Sequence, residues 1–260
     1  MEHPSLEAHL PCPHAKIEPS LDRWAESHWY LHQMESNYHD PDPFRYSFNS
    51  FIRSAKEVPE ILMNDLQREP TVRTRIAAPL ENLHRSPLFA TLKKRRNFLV
   101  HRGMLTPKSH GRIGTTEGSR VKMTLPFTVA AHESSDQAYE RYKALCRTNK
   151  IWRQLSGPDC DSAPTLWRTW RIPEFADQDL LEVAFTAWRL IGEVLSATVL
   201  ALGGAPLNLT MPCRHDPQAI QVRRFSQHEF FLSVDGIDLE EEAKKWEASQ
   251  KSREAVDRSQ

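Results

Sequence analysis

The sequence lacks several features that identify broad classes of protein. Its 34 lysines and arginines balance 34 aspartates and glutamates, so the zero net charge gives no argument for nucleic-acid binding. The four cysteines show no paired spacing, which favours a reducing cytosol over a disulfide framework. The first residues lack a basic stretch followed by an apolar run, so we expect no secretory signal.

The chain also has no long uninterrupted apolar run. Its longest apolar stretch, around Leu190–Leu202, contains Glu193 and follows Arg189, so we expect it not to span a membrane. The 260 residues, 39% of them hydrophobic, are enough for one large domain or two small ones. His28 and His32 have a spacing that can bind a metal ion, but no convincing third ligand accompanies them. We therefore expect a cytoplasmic protein with neither a metal nor a cofactor.

Apolar residues at helical spacing predict four long helices. Residues 1–19 carry four prolines without periodicity and are expected to form a disordered arm, with Ser20 capping the first helix. Pro59 should kink the second helix, and Ser86-Pro87 should cap the third. The long helices are expected at about 21–38, 43–66, 87–105 and 179–202, with a shorter one at 137–155 and a linker between the second and third.

Strands are expected at two places. Val121–Val129 is rich in β-branched residues and predicts one strand, and Val222–Val234 predicts a second that could pair with it. Residues 106–119, rich in Gly, Ser and Thr, are interpreted as a loop. The expected fold class is mainly α, an antiparallel four-to-five-helix bundle forming a single domain over 20–237, with a small β insertion near 120–130, a β segment near 222–234 and a charged tail over 238–260.

One segment of the third predicted helix carries side chains that can hold a phosphodiester and move a proton. Arg96–His101, of sequence RNFLVH, places an arginine, an asparagine and a histidine within six residues. The same arginine–histidine spacing occurs between Arg23 and His28 and between Arg223 and His228, so the spacing alone has little value. Only the first pair combines the asparagine, three intervening apolar residues and a place late in a capped helix.

Helix geometry arranges these side chains. Asn97 and His101 are four residues apart and lie on one face, whereas Arg96 is offset from His101 by about 140°. Two such helices packed about a twofold axis would bring both sets into one cleft. Further basic residues around the motif could contact an RNA backbone: Lys93, Lys94, Arg95 and Arg102.

The segment resembles the signature of the HEPN superfamily (higher eukaryotes and prokaryotes nucleotide-binding), including its HepT-type toxins. That signature is an arginine, usually followed by a polar residue, and a histidine four to six positions on. The resemblance implies a bundle of four or more helices over about residues 20–203, with the motif late in the third long helix. Active members are dimeric, metal-independent RNases. His101 would then be the general base or acid at the ribose 2′-hydroxyl, Arg96 would bind the scissile phosphate, and Asn97 would orient either group.

Two departures from the family pattern leave alternatives open. HepT-type toxins often carry a tyrosine, modified by a paired antitoxin, two residues after the histidine, where this chain has Gly103. The β segments are not part of the minimal family fold. The resemblance implies a homodimer, with a cognate antitoxin or nucleotidyltransferase as a further partner in a bacterial stress or defence system. The alternative is a non-catalytic binding or dimerisation module, in which Arg96 pairs with an acidic neighbour and His101 is a core or capping residue.

Overall fold

The structure is a computed structural model that describes residues 12–159, 161–209 and 216–257. The fold is mainly helical, as expected, with one small four-stranded antiparallel sheet. In chain order the elements are a 3-10 helix Pro13–Ile17, α1 Glu18–Ser36, α2 Pro41–Asp65, α3 Pro70–Arg85, α4 Pro87–His101, β1 Lys108–Glu117, β2 Arg120–Phe127, α5 Ser135–Thr148, α6 Lys150–Ser156, β3 Ala163–Arg171, a 3-10 helix Pro173–Phe175, α7 Leu180–Ala201, α8 Pro217–Ile220, β4 Val222–Arg224, α9 Gln227–Phe230 and α10 Leu239–Asp257.

The chain divides into two compact units, and the expectation of a single domain over 20–237 stays a prediction. The helical unit consists of the described residues in Met1–Tyr38, Asp42–Pro107 and Trp170–Pro217. The sheet unit consists of those in His39–Pro41, Lys108–Thr169 and Gln218–Gln260. The first unit holds the Arg96–His101 segment, and the second holds most of the sheet.

Helix α7 is the central helix of the helical unit and packs against α1 and α3. Trp24 of α1 stacks on Trp188 of α7 with ring centroids 4.4 Å apart, and each indole N–H donates to the other residue's carbonyl oxygen. The start of α7 is fixed by Asp179, which accepts a hydrogen bond from the Leu181 amide at 2.9 Å. The capping interactions and the apolar face explain why this helix lies where the sequence predicted it.

The buried carboxylate of Asp179 also joins segments that are distant in sequence. It accepts hydrogen bonds from the Tyr38 hydroxyl at 2.5 Å and from the Trp170 amide at 2.8 Å. Burial raises the pKa of Asp179, and these hydrogen bonds oppose that rise. One side chain therefore connects the end of the α1 segment, the end of β3 and the first turn of α7.

The sheet unit is built on strands in the order β2-β1-β3-β4. β1 and β2 form an antiparallel hairpin, in which Ile113 pairs with Leu125. One face of the sheet is covered, because Ile113, Phe127 and Leu166 are buried in a cluster with the α5 tyrosines Tyr139 and Tyr142. The Ser134 capping box starts α5 at the position that covers this face.

Several predicted helix bounds were wrong. Helical structure begins at Pro13, so Ser20 is not a cap: it lies inside α1, and its hydroxyl donates to Asp65 at 2.6 Å. The rest of the expected arm, residues 1–11, lies outside the described residues. The predicted 137–155 helix is divided at Asn149, whose side chain caps α6. By contrast, α2 runs through Pro59 within two residues of its predicted bounds, and the kink at Pro59 stays a prediction.

The expected linker between the second and third helices is itself helical. α3 begins with Pro70 in its first turn, where a proline is tolerated, and continues through Pro79. It buries only Val72, Ile76 and Leu83, so its apolar stripe in the sequence is narrow. Its prolines also suggest a break in helical structure, which is why the segment was interpreted as a linker. The motif therefore lies on the fourth helix of the chain rather than the third. That helix ends at His101 instead of near residue 105.

The strand predictions were right in part. The strand expected at Val121–Val129 is β2, but its partner is β1, which lies in the segment interpreted as a loop. The strand expected at Val222–Val234 keeps only β4, because the chain then turns into α9, and β4 pairs with β3 at the other edge of the sheet. The charged tail forms α10.

One helix in the described part of the chain, α7, is long and apolar enough to cross a membrane by length and composition alone. It has 22 residues, and its most apolar window has a mean hydropathy of 1.4. That window is 56% buried within the chain, and the core helix of a soluble protein passes the same test. The expectation of no membrane span stays a prediction.

Candidate functional site

Helix α4 displays the Arg96–His101 segment because of how it begins and what it buries. The Ser86 hydroxyl accepts a hydrogen bond from the Phe89 amide at 3.1 Å, which confirms the predicted cap. Phe89, Leu92 and Leu99 are buried and hold the inner face of the helix in the core. The opposite side of α4 consequently faces outwards.

The outer face of α4 carries two adjacent stripes of side chains. Lys93, Asn97 and His101 follow one another at intervals of four residues, and all three are exposed. The second stripe contains Arg96 and Val100, with Arg96 half-buried and Val100 49% exposed. Asn97 and His101 thus share one accessible face of the helix, whereas Arg96 lies about 140° around the helix from His101, on the side nearer the core. The two stripes together are hereafter called the α4 face.

Arg96 has an incomplete set of partners. Its Nη2 lies 3.9 Å from Oε1 of Glu57 on α2, which is an ion pair but too long for a hydrogen bond. The other Glu57 oxygen, Oε2, is 3.6 Å from Nε of Arg23 on α1. Within the described residues, Nε of Arg96 is buried without a hydrogen-bond partner. A buried N–H left unpaired costs about 1–3 kcal/mol, so this guanidinium would gain by reorienting towards an anion.

Glu57 is the residue of this site that sequence reasoning missed. It lies between Arg23 and Arg96, with its side chain 32% exposed, and so holds two cations from two different helices. No local signal marks it, because Arg96 is almost forty positions away in the chain. Only the approach of α1 and α4 to Glu57 of α2 places the three charges together.

The predicted RNA-binding residues differ in their availability. Lys93, Lys94 and Arg102 are exposed. Arg95 instead forms an ion pair with Glu174, and the hydrogen bond from Arg95 lowers the pKa of the Glu174 carboxyl. Arg95 thus lies on the other side of α4 with its charge already matched, and it contributes less to the α4 face than its neighbours do.

The end of α4 also exposes apolar surface beside the polar groups. His101 is the last helical residue, and the chain turns away through Gly103 with φ of 122°, a conformation that favours glycine. Met104 directly after it is 44% exposed. Val100 and Met104 thus flank His101 with surface of the kind that protein interfaces cover.

The two other arginine–histidine pairs do not form comparable sites. The ring of His28 stacks on Trp188 with centroids 4.7 Å apart, on the side of α1 that packs against α7. Arg223 forms an ion pair with Asp136 at 3.2 Å in the sheet unit. Arg96 and His101 therefore differ from these two pairs in the structure as well as in the sequence, because His28 packs on a tryptophan and Arg223 is paired with an aspartate.

A second polar cluster lies in the sheet unit around Arg168, a fully buried arginine of β3. Its guanidinium donates to the Ser109 hydroxyl at 3.0 Å and to the carbonyl oxygens of His39 and Ala130 at 3.3 Å each. These bonds go to neutral oxygens of three separate segments of the unit. Arg168 therefore acts as an internal brace.

His39 belongs to the same cluster and is held neutral. Its Nε2 lies 2.9 Å from the Ile220 carbonyl, which can only accept, so Nδ1 accepts from the Ser135 hydroxyl 2.8 Å away. Burial and the nearby charges of Arg223 and Arg168 outweigh that hydrogen bond and lower the pKa of His39 to about 4. Ser135 is completely buried, so this serine–histidine pair cannot meet a substrate.

Metal ligands are not clustered in the part of the chain that the structure describes. In residues 12–159, 161–209 and 216–257, no group of three His, Cys, Asp or Glu side chains could hold a metal ion. His32 is instead 2.7 Å from Glu35, three residues along the same helix.

Comparison with known proteins gives one similarity. Residues 7–134 match the model of a family described as bacteriophage lambda protein ea47. The match covers slightly less than half of the chain and includes α1 to α4, the β1–β2 hairpin and the whole α4 face. No curated protein and no solved structure matches the chain. The family description names no activity, so the function must be argued from the site.

Proposed function

We propose that this protein is a metal-independent endoribonuclease of HEPN-like type that cleaves RNA by attack of a 2′-hydroxyl. The observation that carries the proposal is the presence of Asn97 and His101 on the exposed stripe of the α4 face, with the half-buried and poorly paired Arg96 on the neighbouring stripe. An imidazole has a proton affinity suited to general acid–base work near neutral pH, and a guanidinium suits a phosphodiester. RNA supplies its own nucleophile, so no metal-activated water is needed.

Each residue of the α4 face has a role in this mechanism. His101 takes the proton from the 2′-hydroxyl or delivers one to the leaving 5′-oxygen. Arg96 moves from its long contact with Glu57 to bind the scissile phosphate and stabilise the charge that develops there. Asn97 orients the phosphate or the imidazole, while Lys93, Lys94 and Arg102 contact the RNA backbone.

A homodimer would complete the site. Arg96 and His101 are separated by about 140° around one helix, so a single copy presents them side by side and not across a cleft. Two α4 faces packed about a twofold axis would place the arginine of one copy opposite the histidine of the other. The exposed Val100 and Met104 supply apolar surface for that contact. We further propose a cytoplasmic stress or defence setting, with an antitoxin or nucleotidyltransferase as the regulator.

A second candidate function is a non-catalytic binding or dimerisation module. The ion pair between Arg96 and Glu57 favours it, because Arg96 would then serve to bridge α4 and α2. An exposed ion pair of this length contributes at most about 1 kcal/mol, so it is a weak reason to retain an arginine.

An RNA-cleavage assay in excess chelator separates the two functions. The native protein should cleave a labelled RNA and leave a 2′,3′-cyclic phosphate, and His101→Ala should not. His132→Ala, which removes another exposed histidine, is the matched control and should keep full activity. Equal cleavage by all three proteins, or none by any, would contradict the enzyme and leave the binding module.

A further inference from the structure

The second face of the sheet has a different composition from the covered one. Side chains alternate along a strand, so the burial of Ile113 on the covered face places Lys108, His110 and Arg112 of β1 on the opposite face. The three are exposed. By the same alternation Trp167 of β3 lies on this opposite face, because its neighbour Leu166 is buried with Ile113.

The far edge of the sheet adds another cation to this face. Arg224 of β4 pairs with Thr165 of β3, and the Thr165 hydroxyl is 2.9 Å from that of Thr116 on β1, so these positions form a row across the sheet. Both threonines are buried, so Arg224 is the exposed end of this row. We call the set the basic strand face: Lys108, His110, Arg112, Trp167 and Arg224.

The lysine and the two arginines of this face have no carboxylate partner among the described residues. The four strands contain a single acidic residue, Glu117, at the end of β1. Arg112 donates to the Thr124 hydroxyl at 2.5 Å, and neither Arg112, Lys108 nor Arg224 has a carboxylate within ion-pair distance among the described residues. Five other basic side chains of the sheet unit do have a carboxylate partner: Lys122 with Asp159, Arg141 with Glu133, Lys143 with Glu229, Arg153 with Asp235 and Arg223 with Asp136.

Unmatched cations on one face of a protein with zero net charge indicate an anionic partner. Lys108 and Arg112 are four positions apart on β1, about 13 Å. Arg224 lies two strands from β1, about 10 Å, in the row of Thr116, which is four positions beyond Arg112. The cations therefore cover an area that several consecutive phosphates could occupy. Trp167 is half-buried among them and offers part of a ring on which an unpaired base can stack.

We propose that the basic strand face binds single-stranded RNA. The choice of RNA over an acidic peptide rests on the proposed function and on Trp167, since a base adds stacking to charge. The choice of single strands follows from the same tryptophan, because bases within a duplex present only their edges. The sheet unit is then a binding surface with its own residues, separate from the α4 face.

Fluorescence anisotropy tests this with a 5′-labelled 12-nucleotide oligouridine and the His101→Ala protein, which leaves the RNA intact. Adding Arg112→Ala and Arg224→Ala should weaken binding by at least tenfold. The two lost phosphate contacts should also reduce the slope of log affinity against log salt by about 1.4. Adding Trp167→Ala to His101→Ala should weaken binding by about tenfold, while the affinity for a duplex of equal length stays unchanged.

The matched control adds Arg147→Ala and Lys150→Ala, which remove the same charge from exposed positions on α5 and α6. This control should bind RNA as its parent does. Equal weakening of RNA binding in both double variants would show that only net charge determines the affinity, and it would overturn the proposal. Face-dependent binding of a polyglutamate peptide with no binding of oligouridine would overturn it in favour of an acidic protein partner.

Circular dichroism and thermal melting confirm that each variant is folded, and Arg112→Gln with Arg224→Gln provides a milder pair with the same expected direction. Because binding is measured without cleavage, the result is independent of catalysis. Face-dependent binding by a protein that never cleaves RNA would support this surface and refute the nuclease. Unchanged binding by these variants, together with full cleavage by a protein that keeps His101 and carries Arg112→Ala and Arg224→Ala, would do the reverse.

Discussion

Arg96 and Arg168 are both arginines in ordered secondary structure, yet their surroundings differ in every respect that matters for function. Arg168 is fully buried and donates to three oxygens in the sheet unit. Arg96 is 27% exposed, its nearest carboxylate is 3.9 Å away, and its Nε has no hydrogen-bond partner in the described part of the chain. A fully hydrogen-bonded buried arginine is committed to the fold, whereas a partly exposed and poorly paired one can still bind something else.

The same contrast applies to two histidines, His39 beside Arg168 and His101 on the helix that carries Arg96. His39 is fixed in one neutral form between Ser135 and Ile220. His101 stands exposed at the end of α4. Arg168 and His39 are therefore part of the internal structure, whereas Arg96 and His101 are available for chemistry. This difference can be tested directly.

The largest expected effect is on cleavage by the α4 face. His101→Ala should lower the single-turnover rate of RNA cleavage about 10²- to 10⁴-fold, the usual contribution of general acid–base catalysis. Its free energy of unfolding should change by less than about 0.5 kcal/mol, because the side chain is exposed. The rate and a urea titration are the two measurements. A destabilisation of several kcal/mol would show that His101 is structural.

The next effect is on stability and distinguishes the two arginines. Arg168→Met should lower the free energy of unfolding by about 4 kcal/mol, because hydrogen bonds to a charged donor are lost in the interior. Arg96→Met should cost less than about 1 kcal/mol, because it breaks only a long, partly exposed ion pair. Urea denaturation of both variants at pH 7 gives the comparison. Similar losses would contradict the distinction drawn between them.

The pH dependence of stability should report His39. Its folded pKa of about 4 lies below the value of 6.5 for an unfolded chain, so between these values the unfolded state binds more protons. The contribution is complete above pH 6.5 and is lost as the pH falls towards 4, by up to about 3 kcal/mol. Unfolding titrations at pH 7, 5.5 and 4 should therefore show a steeper decline for the native protein than for His39→Gln. Parallel declines would mean that other groups control acid stability.

The smallest expected effect concerns Glu57, which we infer to be a positioning residue for Arg96. Glu57→Gln removes the charge and keeps the shape, so stability should change by less than about 1 kcal/mol. RNA cleavage should change about threefold to tenfold, mainly in KM, since Arg96 would hold the phosphate in a different place. Glu60→Gln, one turn further along α2, is the control. A kinetic profile identical to that of the native protein would remove Glu57 from the site.

Features set by local interactions were predictable from the sequence. The Ser86 cap and the apolar residues of α4 define that helix within about fifteen residues, and the same holds for α7 with Asp179 before it and Gly203 after it. The shared face of Asn97 and His101 follows from helical periodicity alone. These are the parts of the fold and of the site that the sequence specifies without distant partners.

Features set by distant partners were not predictable in this way. β1 has the composition of a loop and becomes a strand because β2 and β3 pair with it on both sides. Arg95 and Arg96 are adjacent in sequence and chemically identical, and they differ only because Glu174 meets one and Glu57 the other. The HEPN resemblance and the nuclease remain predictions that rest on the α4 face.

The position of Asp179 bears on how the chain is made. The helical unit is assembled from separate stretches, and the hydrogen bond between Tyr38 and Asp179 joins residues 141 positions apart. During synthesis α1 to α4 leave the ribosome well before α7, so the apolar surfaces of α1 and α3 that α7 covers stay open until α7 has emerged. Completion of the helical unit, and with it the firm packing of α4, therefore waits for α7. If the α4 face cleaves RNA, the nascent chain acquires that activity only after the sheet unit's strands β1 to β3 have been synthesised.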